Sequence, residues 1–240
     1  MTHPGRRRLF FRRRGDLIWA WAWVVGGYFA ALLAGVLFAQ LIRRTGSWDQ
    51  GLAWERDLML ASHVRWPAPI DALFLVLPWL GTNITLIPLV LIVAIWLYTK
   101  RDRPDLAMHL VVVQLGSFTL NPVLKGIFDR PRPDLWEPRG QFAWAAFPSG
   151  HAIASVSVLL TAALLLRLER GWKWPMRVAV PLLVVSLYSR LYLGVHWPTD
   201  VVGGVLIGLV WLAVTYIAFR RPRAADLVPG ASEESPAPGA

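Results

Sequence analysis

LIWAWAWVVGGYFAALLAGVLFAQLI, residues 17–42, carries no charged side chain over 26 positions. A helix needs about 20 such residues to cross a bilayer core, so the stretch reads as a transmembrane helix. Ahead of it, residues 1–15 hold six arginines (Arg6, Arg7, Arg8, Arg12, Arg13, Arg14) and no acid. A secretory leader has a far shorter apolar core, so the run is a first span entered from a cytoplasmic N-terminus.

Downstream, comparable runs recur at Leu80–Tyr98, Leu106–Leu124, His151–Leu168, Met176–Leu193 and Thr199–Phe219. The pattern predicts an all-α polytopic membrane protein with six transmembrane helices over residues 17–219. A basic cytoplasmic segment, 1–16, precedes them, and a Pro/Ala/Glu-rich tail, 220–240, follows them and is expected to be disordered. Composition agrees: 55% of residues are hydrophobic, 17% are charged, and the mean hydropathy is +0.45. No cysteine is present, which excludes disulfides, thiolate nucleophiles and Cys-ligated metals. In such a chain the net charge of +10 is read first as topology, and no nucleic-acid partner is expected.

Between the spans, residues 54–66 read as an amphipathic helix on the membrane surface, with Leu58, Ala61 and Val64/Arg65 at near-helical spacing. His63 there is expected to be solvated or interfacial. Pro78, Gly81 and Pro88 interrupt the apolar run 70–98, so Ile70–Trp79 is expected to fold against the outer surface. Asn83-Ile84-Thr85 matches a glycosylation acceptor only by chance, because it lies at membrane depth. Gln114 and Asn121 are expected to face the bundle interior, and Gly204 with Gly208 forms a small-xxx-small pair suited to close helix packing.

With six spans and both termini inside, the inner segments carry 16 of the 25 basic residues: the six N-terminal arginines, Lys100, Arg101, Arg103, Arg167, Arg170, Lys173, Arg177, Arg220, Arg221 and Arg223. The flipped arrangement would place both termini outside with nine of them. The favoured topology puts segment 125–151 and the turn 189–200 together on the outer face. Segment 125–151 is basic and rich in proline and glycine, with Arg130, Arg132 and Arg139 among Gly126, Pro131, Pro133, Pro138 and Gly140.

On that face meet Lys125, Arg132, Ser149, Gly150, His151, Arg190, His196 and Asp200. Pro148 suits the first turn of a helix. The N–H groups of Ser149, Gly150 and His151 would then point at an anion. Snorkelling cations are the bland alternative for Lys125 or Arg190 alone. Together, however, the three cations suit phosphate, which arginine grips with a fork and lysine with a point charge. Asp200, four residues beyond His196, is placed to hold its Nδ1–H and leave Nε2 free to attack phosphorus. A simple helix cap is the other reading of Asp200. His151 is left to protonate a leaving alkoxide. His151, His196 and Asp200 also have metal-ligand chemistry, but the adjoining cations would repel a divalent ion.

Lys125-x6-Arg132-Pro133, Pro148-Ser149-Gly150-His151 and Ser189-Arg190-x5-His196-x3-Asp200 together resemble the three-part signature of the type 2 phosphatidic acid phosphatase family. Its superfamily includes vanadium haloperoxidases and bacterial acid phosphatases. The resemblance implies a metal-independent, cofactor-free lipid phosphate phosphatase of the bacterial plasma membrane, its site facing outward. His196 would become a phosphohistidine, Asp200 orient it and His151 act as general acid. Lys125, Arg132, Ser149, Gly150 and Arg190 would hold the phosphoryl group. Phosphatidic acid, phosphatidylglycerol phosphate and undecaprenyl diphosphate are candidate substrates. The alternatives are a phosphotransferase on the same scaffold, with a lipid or sugar acceptor, and a non-catalytic lipid-phosphate carrier.

Overall fold

The apolar runs fold as helices in the order α1 (Arg14–Arg43), α2 (Ala53–Ser62), α3 (Ala68–Val76) running into a 3-10 turn (Leu77–Gly81), α4 (Asn83–Arg101) and α5 (Pro104–Ile127). There follow α6 (Gly150–Ala154), a π turn (Ser155–Leu159), α7 (Leu160–Arg170), α8 (Trp174–Tyr192) and α9 (Pro198–Phe219). This computed structural model describes residues 14–63, 66–137 and 145–219, and no strand occurs among them. The expectations for residues 1–13, Val64, Arg65, Pro138, Arg139, Gly140 and the tail 220–240 lie outside the described residues.

Local chemistry sets the boundaries. Pro104 opens α5, where a missing N–H is harmless. Gly171, at φ +68°, closes α7 in the left-handed region that glycine enters freely. Pro78 and Gly81 break the apolar run 70–98 inside the 3-10 turn, whereas Pro88 is accommodated within α4. Asn83 opens α4, and its Oδ1 accepts a hydrogen bond from Gln114 Nε2 at 3.0 Å, which places the buried Gln114 on the interior face of α5.

Among the described residues, five helices are long and apolar enough to cross a membrane: Leu17–Arg43, Asn83–Arg101, Pro104–Ile127, Gly150–Leu168 and Pro198–Phe219. Six spans were expected. The sixth candidate, α8, equals α4 in length at 19 residues, but Arg177, Pro181 and Arg190 dilute its hydropathy. The outward faces are apolar, with Phe29, Leu37, Ile84, Ile92 and Val184 all exposed. Soluble proteins rarely carry apolar surface on this scale. The molecule is a multi-pass membrane protein.

Helix association in lipid relies on close packing, which small residues permit. α1 lies along α9, with Gly27 against Val214. A Cβ at Gly35 would sit 3.0 Å from Ile207 and 3.1 Å from Leu124. Trp211 is fully buried between α9 and α5 and donates Nε1–H to the Val113 carbonyl at 3.0 Å.

Two local expectations gain detail. α2 turns Glu55, Met59 and Ser62 inward and leaves Trp54, Leu58 and Ala61 exposed, so its protein-facing stripe includes a carboxylate. His63 is exposed, as expected, and its ring also stacks on Trp136 with centroids 4.1 Å apart.

Candidate active site

Lys125 lies in the last turn of α5, so the ammonium emerges at the end of the bundle where the segment 128–137 begins. Lys125 is buried and donates to the Ala145 carbonyl. Pro131 and Pro133 bias the residues before them toward extended backbone. From this extended stretch Arg132 reaches two carbonyls, Val195 through Nη1 and Ala145 through Nη2, the latter at 3.3 Å. Two cations thus converge on one carbonyl, and Arg132 ties its own segment to the residue preceding His196.

The Ser149–His151 block differs from expectation at its start. Helix α6 begins at Gly150 with Ser149 as its N-cap, so Pro148 stands one residue outside the helix. The Ser149 N–H, expected to be free, donates to the Asp200 carbonyl at 3.0 Å. Ser149 Oγ is buried and has no hydrogen-bond partner among the described residues. Two glycines make this approach possible. A Cβ at Gly150 would lie 2.6 Å from the Asn121 amide, and one at Gly204 would lie 2.6 Å from the Ser149 carbonyl. The Gly204–Gly208 pair therefore packs α9 directly onto the backbone that carries the block.

From the end of α8 the chain turns at Gly194, φ +71°, and Val195 N–H bonds back to the Arg190 carbonyl at 3.2 Å. That turn delivers His196, 4% exposed, beside Arg190, 2% exposed. Trp197 precedes Pro198, the first residue of α9, and Asp200 at the third helical position accepts the Trp197 N–H on Oδ2 at 2.8 Å. This is half of a capping box. The same Oδ2 lies 3.7 Å from His196 Nδ1, an electrostatic pairing longer than a hydrogen bond. Asp200 is therefore a helix cap; it stands beside His196, whose buried Nδ1 has no hydrogen-bond partner among the described residues.

Lys125, Arg132, Arg190, His151 and His196 all interact electrostatically, so the three motif blocks meet at one end of the bundle. Burial, chiefly, and then Arg132, Lys125 and Arg190 hold the His196 imidazole well below its ordinary pKa of 6.5, opposed by a hydrogen bond with the Ala146 backbone. His196 is thus a neutral imidazole near pH 7, the form with a lone pair to give. Burial also lowers Arg132, and Asp200 opposes it. Among the described residues no three His, Asp or Glu side chains gather as a metal-ligand set.

Sequence reasoning passed over two side chains that reach the site. Arg130, noted only as a loop cation, is fully buried and donates Nη1–H to Asp200 Oδ1 and to Thr199 Oγ1, both at 2.7 Å, and Nε–H to the Trp48 carbonyl at 2.9 Å. Its Nη2 lies 3.3 Å from Glu55 Oε2. Glu55 Oε1 in turn accepts from Thr199 N–H at 2.8 Å and Thr199 Oγ1 at 2.7 Å. The available signal was the doubled Arg-Pro of residues 130–133. Glu55 offered none, since a carboxylate in an amphipathic helix ordinarily faces water.

Residues 106–224 match the PAP2 superfamily. An undecaprenyl-diphosphatase of Sulfolobus acidocaldarius is 29% identical over 192 residues, covering 75% of this chain and 85% of that protein. Phosphatidylglycerophosphatase B of Bacillus subtilis is 34% identical over 136 residues, 55% of this chain and 66% of its own length. The crystal structure of a transmembrane PAP2-type phosphatidylglycerolphosphate phosphatase from Bacillus subtilis superposes with a TM-score of 0.67 at 25% identity, over 78% of this chain and 93% of that one.

Proposed function

This chain belongs to the PAP2 superfamily, and from that premise we propose that it is a lipid phosphate phosphatase with an outward-facing site, acting through a phosphohistidine without a metal. The observation that carries the reading is the meeting of Lys125, Arg132 and Arg190 with His151 and a neutral His196 at one end of an apolar helix bundle. A lipid substrate keeps its tail among the bilayer-facing helices while its phosphate reaches the helix ends. The phosphoryl oxygens lie against the three cations, the Ser149 hydroxyl and the Gly150 N–H.

His196 Nε2 attacks phosphorus as the bond to the leaving oxygen breaks. His151 gives that oxygen a proton, and Asp200 offsets the positive charge arising on the imidazole. Water then takes the phosphoryl group from His196 and returns a proton to His151. Charge spread over the transferring group is met by donors already in place, so little reorganisation is needed.

The bundle is read as six spans with both termini in the cytoplasm, α8 serving as the fifth. Its 19 residues rise about 28 Å, close to the ~30 Å of a hydrocarbon core. Undecaprenyl diphosphate and phosphatidylglycerol phosphate lead the candidate substrates, as the named relatives suggest, with phosphatidic acid beside them.

The test is phosphate release by the purified protein in detergent with EDTA present, on these three lipids and a soluble phosphomonoester, with His196→Ala alongside. Release that survives EDTA and vanishes in the variant is expected, and the ranking of lipids names the substrate class. Release stopped by EDTA would overturn the metal-free reading. No release from any lipid would overturn the phosphatase itself.

A further inference from the structure

The geometry points to Arg130 and Glu55 as positioning residues that aim Asp200 at His196 and set the charge the pair delivers there; this rests on the phosphatase reading above. Asp200 has two oxygens and both are committed. Oδ2 faces His196 and accepts the Trp197 N–H, while Oδ1 accepts the Arg130 guanidinium at 2.7 Å. With Oδ1 held, the carboxylate cannot rotate about its Cβ–Cγ bond to turn Oδ2 away from the imidazole.

Arg130 is itself fixed on every side. Its Nε is bonded to the Trp48 carbonyl, its Nη1 to Thr199, and its guanidinium lies 5.1 Å from the Trp48 ring and 5.7 Å from the Trp197 ring. Thr199 closes the ring: it accepts from Arg130 and donates its hydroxyl to Glu55, in the same helical turn as Asp200.

Glu55 has a distinct part. A carboxylate paired with a single guanidinium is neutral as a unit and gives little to a neighbouring cation. Glu55 places a second negative charge on Arg130, so the trio carries one net negative charge, available at the imidazole. That charge has a use once His196 takes up phosphorus and becomes positive. None of these groups is needed to seat the phosphate, since the motif cations surround it. A buried ion pair is also weak support for stability, because apolar replacement is often neutral. The arrangement therefore belongs to the nucleophile, and it links the surface helix α2 to the reaction.

The experiment measures kcat and KM for phosphate release from the best lipid by wild type, Glu55→Gln, Arg130→Lys and Arg130→Met, with Lys125→Ala for contrast. Elution profile and thermal unfolding of each purified variant are recorded. Glu55→Gln keeps the shape and the Thr199 bonds but gives up the acceptor for Arg130 Nη2 and the Leu52 N–H, so its kcat is read beside its thermal unfolding, and it serves even where Arg130→Met fails to fold. Expected is a fall in kcat of about 10- to 100-fold for Glu55→Gln with KM within about twofold, a larger fall for Arg130→Met and partial rescue in Arg130→Lys; Lys125→Ala, which removes a phosphate contact, lowers kcat and raises KM together. Wild-type kcat in folded Glu55→Gln and Arg130→Lys would overturn the inference, as would a KM rise at unchanged kcat, which would make Arg130 a phosphate ligand. A silent wild type would overturn the phosphatase reading and this inference with it.

Discussion

His196 stands nearly buried among Lys125, Arg132 and Arg190, and its protonation follows from that company. A buried imidazolium loses hydration and meets three like charges, so the proton leaves more readily than from a free histidine. Because its pKa in the folded protein is depressed, the neutral form persists as pH falls through about 6.5, and protonation is confined to more acid conditions. An NMR titration with isotope-labelled histidine, assigned by loss of one signal in His196→Ala, is expected to find that imidazole still neutral at about pH 6; an ordinary midpoint would mean the cations lie farther away than described. On the proposed mechanism the residues also differ in the size of their effect. His196→Ala removes the attacking atom and abolishes turnover. Lys125→Ala removes one preorganised donor, costs roughly 3–4 kcal/mol of transition-state stabilisation and leaves a measurable residue of phosphate release. Equal, mild losses in both would sink the assignment of roles. That the motif residues would gather at one end of the bundle was legible in sequence from the topology and from their resemblance to a known three-part signature. Arg130 and Glu55 were not, since their pairing spans 75 residues and a buried charge has no local mark.

Helix α9 supplies more than a span. Gly204 and Gly208 bring it against backbone, the Ser149 carbonyl at one level and the Ile153 carbonyl at the next. The added methyl of Gly204→Ala would meet a carbonyl oxygen at 2.6 Å, and a backbone atom cannot swing aside as a side chain can. Overpacking of this kind costs about 1–3 kcal/mol, and here the displaced backbone is the N-cap of α6, whose Ser149 N–H is bonded to the Asp200 carbonyl. Gly204→Ala is thus expected to lower the unfolding temperature and phosphate release together. Gly26→Ala in α1 is the matched control: nothing lies within 4 Å of its Cβ, and alanine is the better helix former. That variant should unfold no earlier than wild type, and equal losses in the two would mean the close approach of α9 is unimportant. Element existence was largely readable, since an uninterrupted apolar run has few other folds available in lipid. The π turn at Ser155–Leu159 and the inward face of α2 were not readable, because each depends on what the neighbouring helix presents.

At the scale of the whole molecule, the geometry sets which segments share an end of the bundle, and charge carries the proposal for which way that end faces. The helix that begins at Gly150 leaves the site end and α7 finishes at Arg170, at the other end; α8 must then return, because His196 lies back among Lys125 and Arg132. The proposed direction rests on the basic residues, 16 of 25 of which it places on the inner side. The absence of native cysteine makes the direction measurable with single introduced thiols. Asp134 is exposed on the segment beside the site, and Lys173 is exposed in the turn between α7 and α8. In intact cells a membrane-impermeant maleimide is expected to label Asp134→Cys directly, and Lys173→Cys only after permeabilisation. The reverse pattern would put the phosphate site in the cytoplasm, where it would meet lipid phosphates of the inner leaflet rather than the outer. Labelling of both from outside would mean that the helix from Gly150 to Arg170 does not cross, and the return path of α8 would fall with it.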